Sequence, residues 1–391
     1  MDPACPLVVT GQQIGAGWSP ALAVVKALAA LATARRLGGE AVYWLADEDH
    51  DRLEVANVIG GTEDRLRRHR FRFNAPASTA TGWLAWAAQH QREAEDLWGA
   101  VPSPTEPTLR GHVLAAGEPL WRRGLRPFSP TAPEVRAPIQ AELERWRAID
   151  LEALMNDQAD RLEKEGAPLP LDPRSQAAWF SLDPRSGLRR RLERGDALPR
   201  GCWLSPGAAL RPLMQSLLLP VTHVVLGPAE RAYWRLAEPL WERVGLQPPQ
   251  ILPRPSVVLV PKGLALEAHQ LEPLKEGRWE AFSNLPFPLP TERLDHPQPD
   301  DAWGEAVGSR FRAEIGRCRA RLARLDRRLH RDLAGARLGL DPERLRQALF
   351  PFGRPQERVL PGLPWLRDEA LLDRMFTALD GSTLMVLVEA P

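Results

Sequence analysis

Cysteine is scarce in this chain of 391 residues, and its three copies lie far apart. Cys5, Cys202 and Cys318 show no C-x-x-C spacing, which excludes a disulfide scaffold and a zinc ribbon. None of them stands beside a base that would activate it as a nucleophile. We therefore expect a protein of the reducing cytoplasm that uses no cysteine of its own in catalysis.

A strong charge of either sign and a long apolar run are also missing. The net charge is +1, so the chain as a whole carries no field that would attract nucleic acid or a membrane surface. The longest apolar helix candidate, residues 21–37, contains Lys26 and two arginines, which excludes a membrane span. At about 150 residues per domain, the length predicts two or three structural units.

Lysine is rare as well, since only four of the 51 basic residues are lysines. The excess of arginine, with 39 prolines, is typical of a GC-rich genome. In a chain that avoids lysine, Lys26 is a candidate functional residue because it lies among apolar neighbours in a predicted helix. Its ammonium group either reaches the surface along its aliphatic stem or binds an anion at the edge of a sheet.

The first part of the chain alternates between strand and helix patterns. Residues 6–10 and 40–45 are apolar runs of strand length, and residues 21–37 predict a helix with Pro20 in its first turn and Ser19 as its cap. A strand, a helix and a strand in this order predict a right-handed parallel βαβ unit and an α/β fold. Both strands then end at one edge of the sheet, where ligands of such folds bind.

A glycine-containing loop follows the first strand at this edge: Thr10, Gly11, Gln12 and Gln13. Such a loop ahead of a helix presents backbone N–H groups to an anion, or it is a plain turn. It matches neither the phosphate-binding loop nor the dinucleotide fingerprint. The residues alone leave both interpretations open.

Four ionisable residues follow the second strand without interruption: Glu48, Asp49, His50 and Asp51. Placing four ionisable groups together directly after a buried strand costs free energy unless solvent, a cation or a substrate supplies their hydrogen bonds or balances their charge. Carboxylates beside a histidine stabilise its imidazolium form, which suits proton transfer near neutral pH. A metal site and a solvated acidic turn stay open as alternatives, although no second histidine stands nearby at ligand spacing.

The strand and helix alternation returns after residue 200. Residues 221–226 and 250–256 predict two more strands, with a helix over residues 229–244 between them. Arginine forks near loop ends bind carboxylates or phosphates, or they have a structural role. The polar residues near the loop ends of this region are Arg211, Glu230, Arg254 and Ser256.

The remaining patterns predict further elements outside this alternation. Residues 65–73 predict an edge strand, and residues 82–99 and 137–164 predict helices. Apolar residues at three- and four-residue spacing from 303 to 333 predict one long amphipathic helix. Its other faces carry nine arginines, but no aromatic residues are interleaved with them, so packing on the core or on a partner helix is favoured over nucleic-acid binding.

Five blocks between residues 8 and 358 match one family in the same order. The first two blocks are VVTGQQIG (8–15), followed by Pro20 and Lys26, and YWLADEDHD (43–51), followed by Glu54. The other three are LRPLMQ (210–215), GPAERAYW (227–234) together with PRPS (253–256), and LFPFGRPQER (349–358). The chain thus resembles the cysteine ligase family of bacillithiol biosynthesis, as a short variant.

The resemblance implies an α/β, Rossmann-like parallel sheet core with inserted connecting segments and a helical coiled-coil arm that dimerises. It also implies a cytoplasmic ligase that joins L-cysteine through an amide to the amino group of glucosaminyl malate. ATP or ADP is left open as a cofactor, and neither a metal nor nucleic acid nor a membrane is expected. The matched polar residues expected to bind substrate or nucleotide are Thr10, Gly11, Gln12, Gln13, Lys26, Glu48, Arg211, Gln215, Glu230, Tyr233, Arg254 and Ser256.

Two departures from the family pattern bear on these expectations. The stretch 256–311 is too short for a full antiparallel arm, which predicts a shortened helical arm and weakens the case for a homodimer. The family's Gly-Gly-Pro-Gly-Glu is replaced by Leu226-Gly-Pro-Ala-Glu230, which removes two glycines.

The domain organisation that follows has four parts. We predict a core over residues 1–256 with insertions at about 60–200, and a proline-rich connection over 257–302. A long amphipathic helix over 303–340 and a C-terminal segment over 341–391, packed back on the core, complete the chain.

The same edge residues predict a mechanism. His50, oriented by Asp49 or Asp51, is expected to take the proton of the attacking amine, while Lys26 and Arg254 neutralise malate or phosphate charge. Two other functions stay open: a non-catalytic binding homologue, and a transferase that acts on a different amine.

Overall fold

The computed structural model describes residues 5–61, 66–283, 304–379 and 385–390. The chain forms two compact units, the first comprising residues 1–258 with 356–391 and the second residues 259–355. Among the described helices, none has the length and hydropathy that a membrane span requires.

The described strands are short, and most belong to the first unit. They are β1 Leu7–Gln12, β2 Glu40–Leu45, β3 Asn57–Gly60, β4 Arg67–Arg70, β5 Leu125–Phe128, β6 Trp179–Leu182, β7 Arg189–Leu192, β8 Trp203–Pro206, β9 His223–Leu226, β10 Gln250–Pro253, β11 Ser256–Val260 and β12 Met385–Glu389.

The helices alternate with these strands. They are α1 Leu22–Leu37, α2 Arg52–Ala56, α3 Ala88–Trp98, α4 Leu109–Ala116, α5 Glu118–Trp121, α6 Pro133–Arg136, α7 Gln140–Ala148, α8 Leu151–Lys164, α9 Arg211–Leu218, α10 Pro228–Trp234, α11 Leu240–Val244, α12 Leu271–Glu276, α13 Glu280–Ser283, α14 Gly304–Leu338, α15 Pro342–Leu349, α16 Leu363–Arg367 and α17 Glu369–Ala378.

A five-stranded parallel sheet forms the centre of the first unit. Its strand order is β10-β9-β1-β2-β5, with Leu7 of β1 opposite Glu40 of β2 and Val8 of β1 opposite His223 of β9. The predicted βαβ unit and the Rossmann-like α/β class are therefore confirmed. The chain leaves β1 to one side and later returns to its other side, so β1 and β9 flank the switch point where ligands of such sheets bind.

Helix α1 is buried on nearly all sides because its sequence is rich in alanine, leucine and valine. The predicted cap by Ser19 is wrong, since Ala21 is the N-cap residue and no side chain caps the helix. The backbone N–H of Ala21 instead donates to the carbonyl of Leu360 at 2.7 Å. At its other end the helix stops at Gly38, which adopts a left-handed conformation with φ of 66°.

The insertion between the first and second halves of the sheet contains two small antiparallel sheets. The predicted strand at residues 65–73 is found as β4, paired with β3, and a second sheet has the order β7-β6-β8. The predicted helix over residues 137–164 is divided into α7 and α8, because Ile149 ends the first in an extended conformation and Asp150 caps the second. The helix predicted over 229–244 is likewise divided, into α10 and α11, with Pro239 as the N-cap of α11.

The second unit contains the long helix α14, as the apolar periodicity predicts. Residue 303, at the start of the predicted stripe, lies outside the described residues. Val307 and Leu325 of that stripe are 54% and 55% exposed. The apolar stripe of α14 is therefore largely accessible in the single chain.

Gly11 is required by the close approach of β1 and β2. A Cβ atom at this position would lie 2.6 Å from the carbonyl oxygen of Trp44 and 2.8 Å from its Cβ. Gly11 lies opposite Trp44 in the pairing of β1 with β2, so the clash could be removed only by moving two central strands apart.

We expect Gly11→Ala to lower the free energy of unfolding by about 2 kcal/mol or more, measured by urea denaturation. Gly316→Ala is the matched control, because a Cβ there meets no atom within 4 Å on an exposed helix face. The control should be neutral or stabilising by up to about 1 kcal/mol. Equal stability of the two variants would contradict the role assigned to Gly11.

Candidate functional site

A cleft of about 450 Å³ opens at the carboxyl ends of the central strands. Its walls come from the segments that follow β1, β2, β9 and β10, with α9 closing one side. The cleft therefore lies at the switch point of the sheet. The structure brings nine of the sequence-predicted site residues to its walls: Gly11, Gln12, Gln13, Asp49, Arg211, Gln215, Glu230, Tyr233 and Arg254.

The other six predicted site residues do not line this cleft: Thr10, Lys26, Glu48, His50, Asp51 and Ser256. Thr10 is buried, and its hydroxyl donates to the carbonyl of Val225 at 3.0 Å, which links β1 to β9. Ser256 donates to Glu357 at 3.2 Å. Both therefore have structural contacts within the sheet edge.

Lys26 lies fully buried behind the cleft wall. Its Nζ donates to Glu230 Oε1 at 2.6 Å, to Gln12 Oε1 at 3.2 Å and to the carbonyl of Gly11. The other oxygen of Glu230 accepts from the backbone N–H of Gly227 at 2.8 Å. The ammonium group is thus satisfied by the protein, and it fixes the loops after β1 and β9 against each other.

The acidic run after β2 is satisfied by arginines from distant parts of the chain. Glu48 is buried and accepts from Arg136 at 3.0 Å and from Ser205 at 2.9 Å. Asp49 accepts from Arg211 at 2.7 Å, and Arg189 lies 3.7 Å from its other oxygen. The crowding that the sequence shows is therefore resolved by ion pairs.

The two arginines beside Asp49 decide its ionisation. Burial would raise the pKa of this carboxyl, but the charges of Arg211 and Arg189 outweigh burial and hold the pKa far below its usual range. Asp49 is accordingly ionised near neutral pH. It is a poor acceptor for a substrate proton.

His50 faces a second cleft, of about 1110 Å³, which it lines together with Asp51. Its Nδ1 lies 3.2 Å from the Arg189 guanidinium, so this nitrogen is the acceptor. Burial first, and then the charge of Arg189, lower the pKa of His50. The expectation that neighbouring carboxylates stabilise its imidazolium form is wrong, because the arginine opposes them.

Asp51 has a local structural contact. Its carboxylate accepts from the backbone N–H groups of Leu53 and Glu54 at 3.0 and 3.1 Å, which caps helix α2. Gln13 donates to the carbonyl of Asp51 at 3.1 Å and so links this segment to the loop after β1.

The predicted cation Arg254 is also engaged by the protein. Its Nη1 lies 2.8 Å from Glu357, which is 1% exposed, and it donates to the carbonyl of Pro255 at 2.7 Å. The second oxygen of Glu357 accepts from the backbone N–H of Val257 at 3.0 Å. Arg254 is thus held at the cleft wall by a buried carboxylate.

Two polar side chains on α9 and α10 line the cleft without such an ion pair. Gln215 is buried, and its Oε1 has no hydrogen-bond partner in the described chain. The hydroxyl group of Tyr233 stays protonated, since burial and then Glu230 raise its pKa. Both can offer hydrogen bonds to a ligand in the cleft.

Sequence reasoning did not assign roles to two charged residues of the cleft, Glu54 and Arg358. Neither forms an ion pair within the described residues. Both stand inside matched blocks of the sequence, which is the signal that could have identified them. Sequence reasoning also missed Arg189 and Glu357, because their partners are more than 100 residues away along the chain.

Metal binding has no support in the described part of the chain. No group of three or more histidine, cysteine or acidic side chains is arranged to hold a metal ion there. The three cysteines are free thiols.

Residues 199–255, which contain β8, α9, β9, α10 and β10, match the family model described as "Bacillithiol biosynthesis BshC, N-terminal Rossmann-like domain". A Thermus thermophilus protein named "Putative cysteine ligase BshC" is 29% identical over 98% of this chain and 86% of its own length. The chain is therefore similar to BshC proteins.

Other proteins of the same printed name show the same similarity. The Solibacter usitatus protein is 28% identical over 95% of this chain and 81% of its own length. The Symbiobacterium thermophilum protein is 28% identical over 90% of this chain and 72% of its own length. The similarity to BshC proteins therefore extends over nearly the whole chain.

We expect Lys26→Met to lower the free energy of unfolding by about 2 to 4 kcal/mol, because it leaves the Glu230 carboxylate and a buried carbonyl without their donor. The double variant Lys26→Met/Glu230→Gln should recover a large part of this loss. Lys164→Met, at an exposed position, is the control and should stay within about 0.5 kcal/mol of wild type. A double variant no more stable than Lys26→Met would refute the coupling.

A buried carboxyl just before the acidic run sets a pH dependence. Asp47 accepts from Ser129 at 2.6 Å and from Thr131 at 2.9 Å. Burial raises its pKa to about 6, although these hydrogen bonds and the charge of Arg110 act in the opposite direction. The folded protein therefore keeps a proton that the unfolded chain has already lost, and Asp47 reduces stability as the pH rises from 4 to 7.

Asp47→Asn should remove this loss. Between pH 4 and pH 7 its free energy of unfolding should rise relative to wild type by on the order of 2 kcal/mol, as measured by urea denaturation across the pH range. Asp96→Asn, at an exposed position of α3, is the control and should run parallel to wild type. Parallel curves for Asp47→Asn would contradict the assignment.

Proposed function

We propose that this protein joins the carboxyl group of L-cysteine to the amino group of glucosaminyl malate, forming the amide bond of bacillithiol. The similarity to BshC proteins and the cleft at the switch point support the proposal. Both substrates carry a carboxylate and an amine, so the site needs unpaired groups of both signs. The amide C–N bond forms when the amine nitrogen attacks the cysteine carboxyl carbon. The bond from that carbon to one carboxyl oxygen breaks, this oxygen leaves with whatever group activates it, and the nitrogen loses a proton.

The observation that carries the proposal is the charge arrangement in the cleft. The other charged groups on its walls are neutralised by protein partners: Asp49 by Arg211, Glu230 by Lys26, and Arg254 by Glu357. Within the described residues, one guanidinium and one carboxylate of the cleft remain without an ion pair, Arg358 and Glu54. These two opposite charges suit a ligand that carries both a carboxylate and an amine.

Arg358 is assigned to the malate part of the substrate. Its side chain is exposed and lines the cleft, and a guanidinium fork fits a carboxylate with two parallel hydrogen bonds. The cysteine carboxyl group is the reacting group, whereas the malate carboxylates remain charged throughout. A permanent cation therefore stabilises the malate end.

The function is tested by mass spectrometry of the reaction products. Purified protein is mixed with glucosaminyl malate and L-cysteine, with and without ATP, and the amide product is sought. Formation of the product supports the ligase, and the ATP arm identifies the activating cofactor. Binding of glucosaminyl malate without product in either arm indicates a non-catalytic homologue, and turnover of another amino acid in preference to cysteine indicates a different transferase.

Arg358→Gln should weaken the binding of glucosaminyl malate about tenfold, because a charged hydrogen bond to a carboxylate contributes on the order of 1.5 kcal/mol. The affinity for L-cysteine should stay unchanged. Arg36→Gln, at the exposed end of α1, is the control with the same change of charge. Calorimetric titration measures both affinities, and unchanged malate binding by Arg358→Gln would refute its role.

A further inference from the structure

Three carboxylates of the described chain line the cleft, and two of them are already committed. Asp49 is bound by Arg211 at 2.7 Å. Glu230 has one oxygen bound by Lys26 and the other by the N–H of Gly227. Glu54 is the remaining carboxylate, and it forms no ion pair within the described residues.

Glu54 is held at the cleft by its local structure. It is the third residue of α2, and its backbone N–H is bound by the cap residue Asp51 at 3.1 Å. The side chain of Gln12, at the end of β1, hydrogen-bonds to the Glu54 carboxylate. The carboxylate is therefore positioned beside the carboxyl end of the central strand.

The histidine of the same segment is a weaker candidate for proton transfer. The His50 side chain lines the second cleft, whereas Glu54 lines the first. His50 Nδ1 accepts from Arg189, so its basic nitrogen is occupied. Glu54 is in contact with the space where a ligand of the switch-point cleft lies.

We propose that Glu54 binds the ammonium group of the amine substrate in the cleft and accepts its proton. This inference rests on the proposed function and assigns a catalytic residue to it. The substrate N–H bond breaks, the proton moves to a Glu54 oxygen, and the bonding electron pair stays on nitrogen as the nucleophilic lone pair. The products of this step are a neutral amine and a protonated Glu54.

The charges that surround Glu54 favour this step. Its own segment contributes Asp51 and Asp49, and α9 contributes Arg211. Although Glu54 is an exposed residue, desolvation of its carboxyl group first, and then the two aspartates, raise its pKa, while Gln12 and Arg211 only partly offset them. A carboxylate with a raised pKa holds a transferred proton more readily than an ordinary one.

The kinetic test compares Glu54→Gln with two controls. Glu54→Gln keeps the size of the side chain and a hydrogen bond to Gln12 but cannot accept a proton. It should lower kcat/KM for glucosaminyl malate about 100-fold or more and abolish the acidic limb of the pH profile. The first control is Glu40→Gln, the same change at the amino end of β2, away from the cleft, and it should behave as wild type. The second control, His50→Ala, should retain the acidic limb.

A wild-type pH profile in Glu54→Gln would overturn the proposal, as would loss of the acidic limb in His50→Ala alone. Either result leaves the amide-forming activity of the wild-type protein intact. The proposed function and the role of Glu54 are thereby judged separately.

A second measurement does not depend on turnover. D-Glucosamine and D-glucose differ by the amino group, and ligand-observed NMR measures their binding to the full chain. Wild type should prefer D-glucosamine at least several-fold, and Glu54→Gln should lose this preference while Glu40→Gln keeps it. If wild type shows no preference for D-glucosamine, or if Glu54→Gln keeps the preference, the proposed amine site is overturned. If the preference is intact but no amide product forms, only the proposed ligase function is overturned.

Discussion

The buried ion pair between Lys26 and Glu230 is the contact on which the site depends. The ammonium group of Lys26 on α1 donates to the carbonyl of Gly11 and the side-chain oxygen of Gln12 at the end of β1, and to the Glu230 carboxylate after β9, all at the switch point of the sheet. A buried cation is stable only when its hydrogen bonds and its charge are satisfied together. The requirement fixes the loops of the cleft relative to the sheet, so the cleft is preformed without a ligand.

A chain of ion pairs extends the same principle to the acidic run. Arg136, Glu48, Arg211, Asp49 and Arg189 alternate in sign, and each charge lies near the next. The alternation makes crowded carboxylates tolerable at low exposure, but it also removes them from the set of free catalytic groups. Charge on the walls of the cleft is therefore of two kinds: paired groups that give it shape, and unpaired groups that are open to a ligand.

The sequence predicted the central βαβ unit because this unit depends on short-range order, whereas cleft residues such as Gln215 and Tyr233 were expected only from the family resemblance. Apolar runs, helix composition and the right-handed crossover place Gly11 and Asp49 on one edge without knowledge of the rest of the chain. It did not predict which of these groups are free, because pairing joins residues far apart, as in Arg189 with Asp49 or Arg254 with Glu357. It grouped His50 with these residues at one sheet edge, whereas His50 lines the second cleft, since adjacent residues of an irregular segment point in different directions.

Residues 49–54 form a wall with a cleft on each side. Asp49 and Glu54 line the cleft at the switch point, and the four residues between them line the second cleft. Thermodynamic linkage makes any coupling between ligands of the two clefts reciprocal. Because one short segment borders both clefts, a substitution within it has to be checked for its effect on each of them.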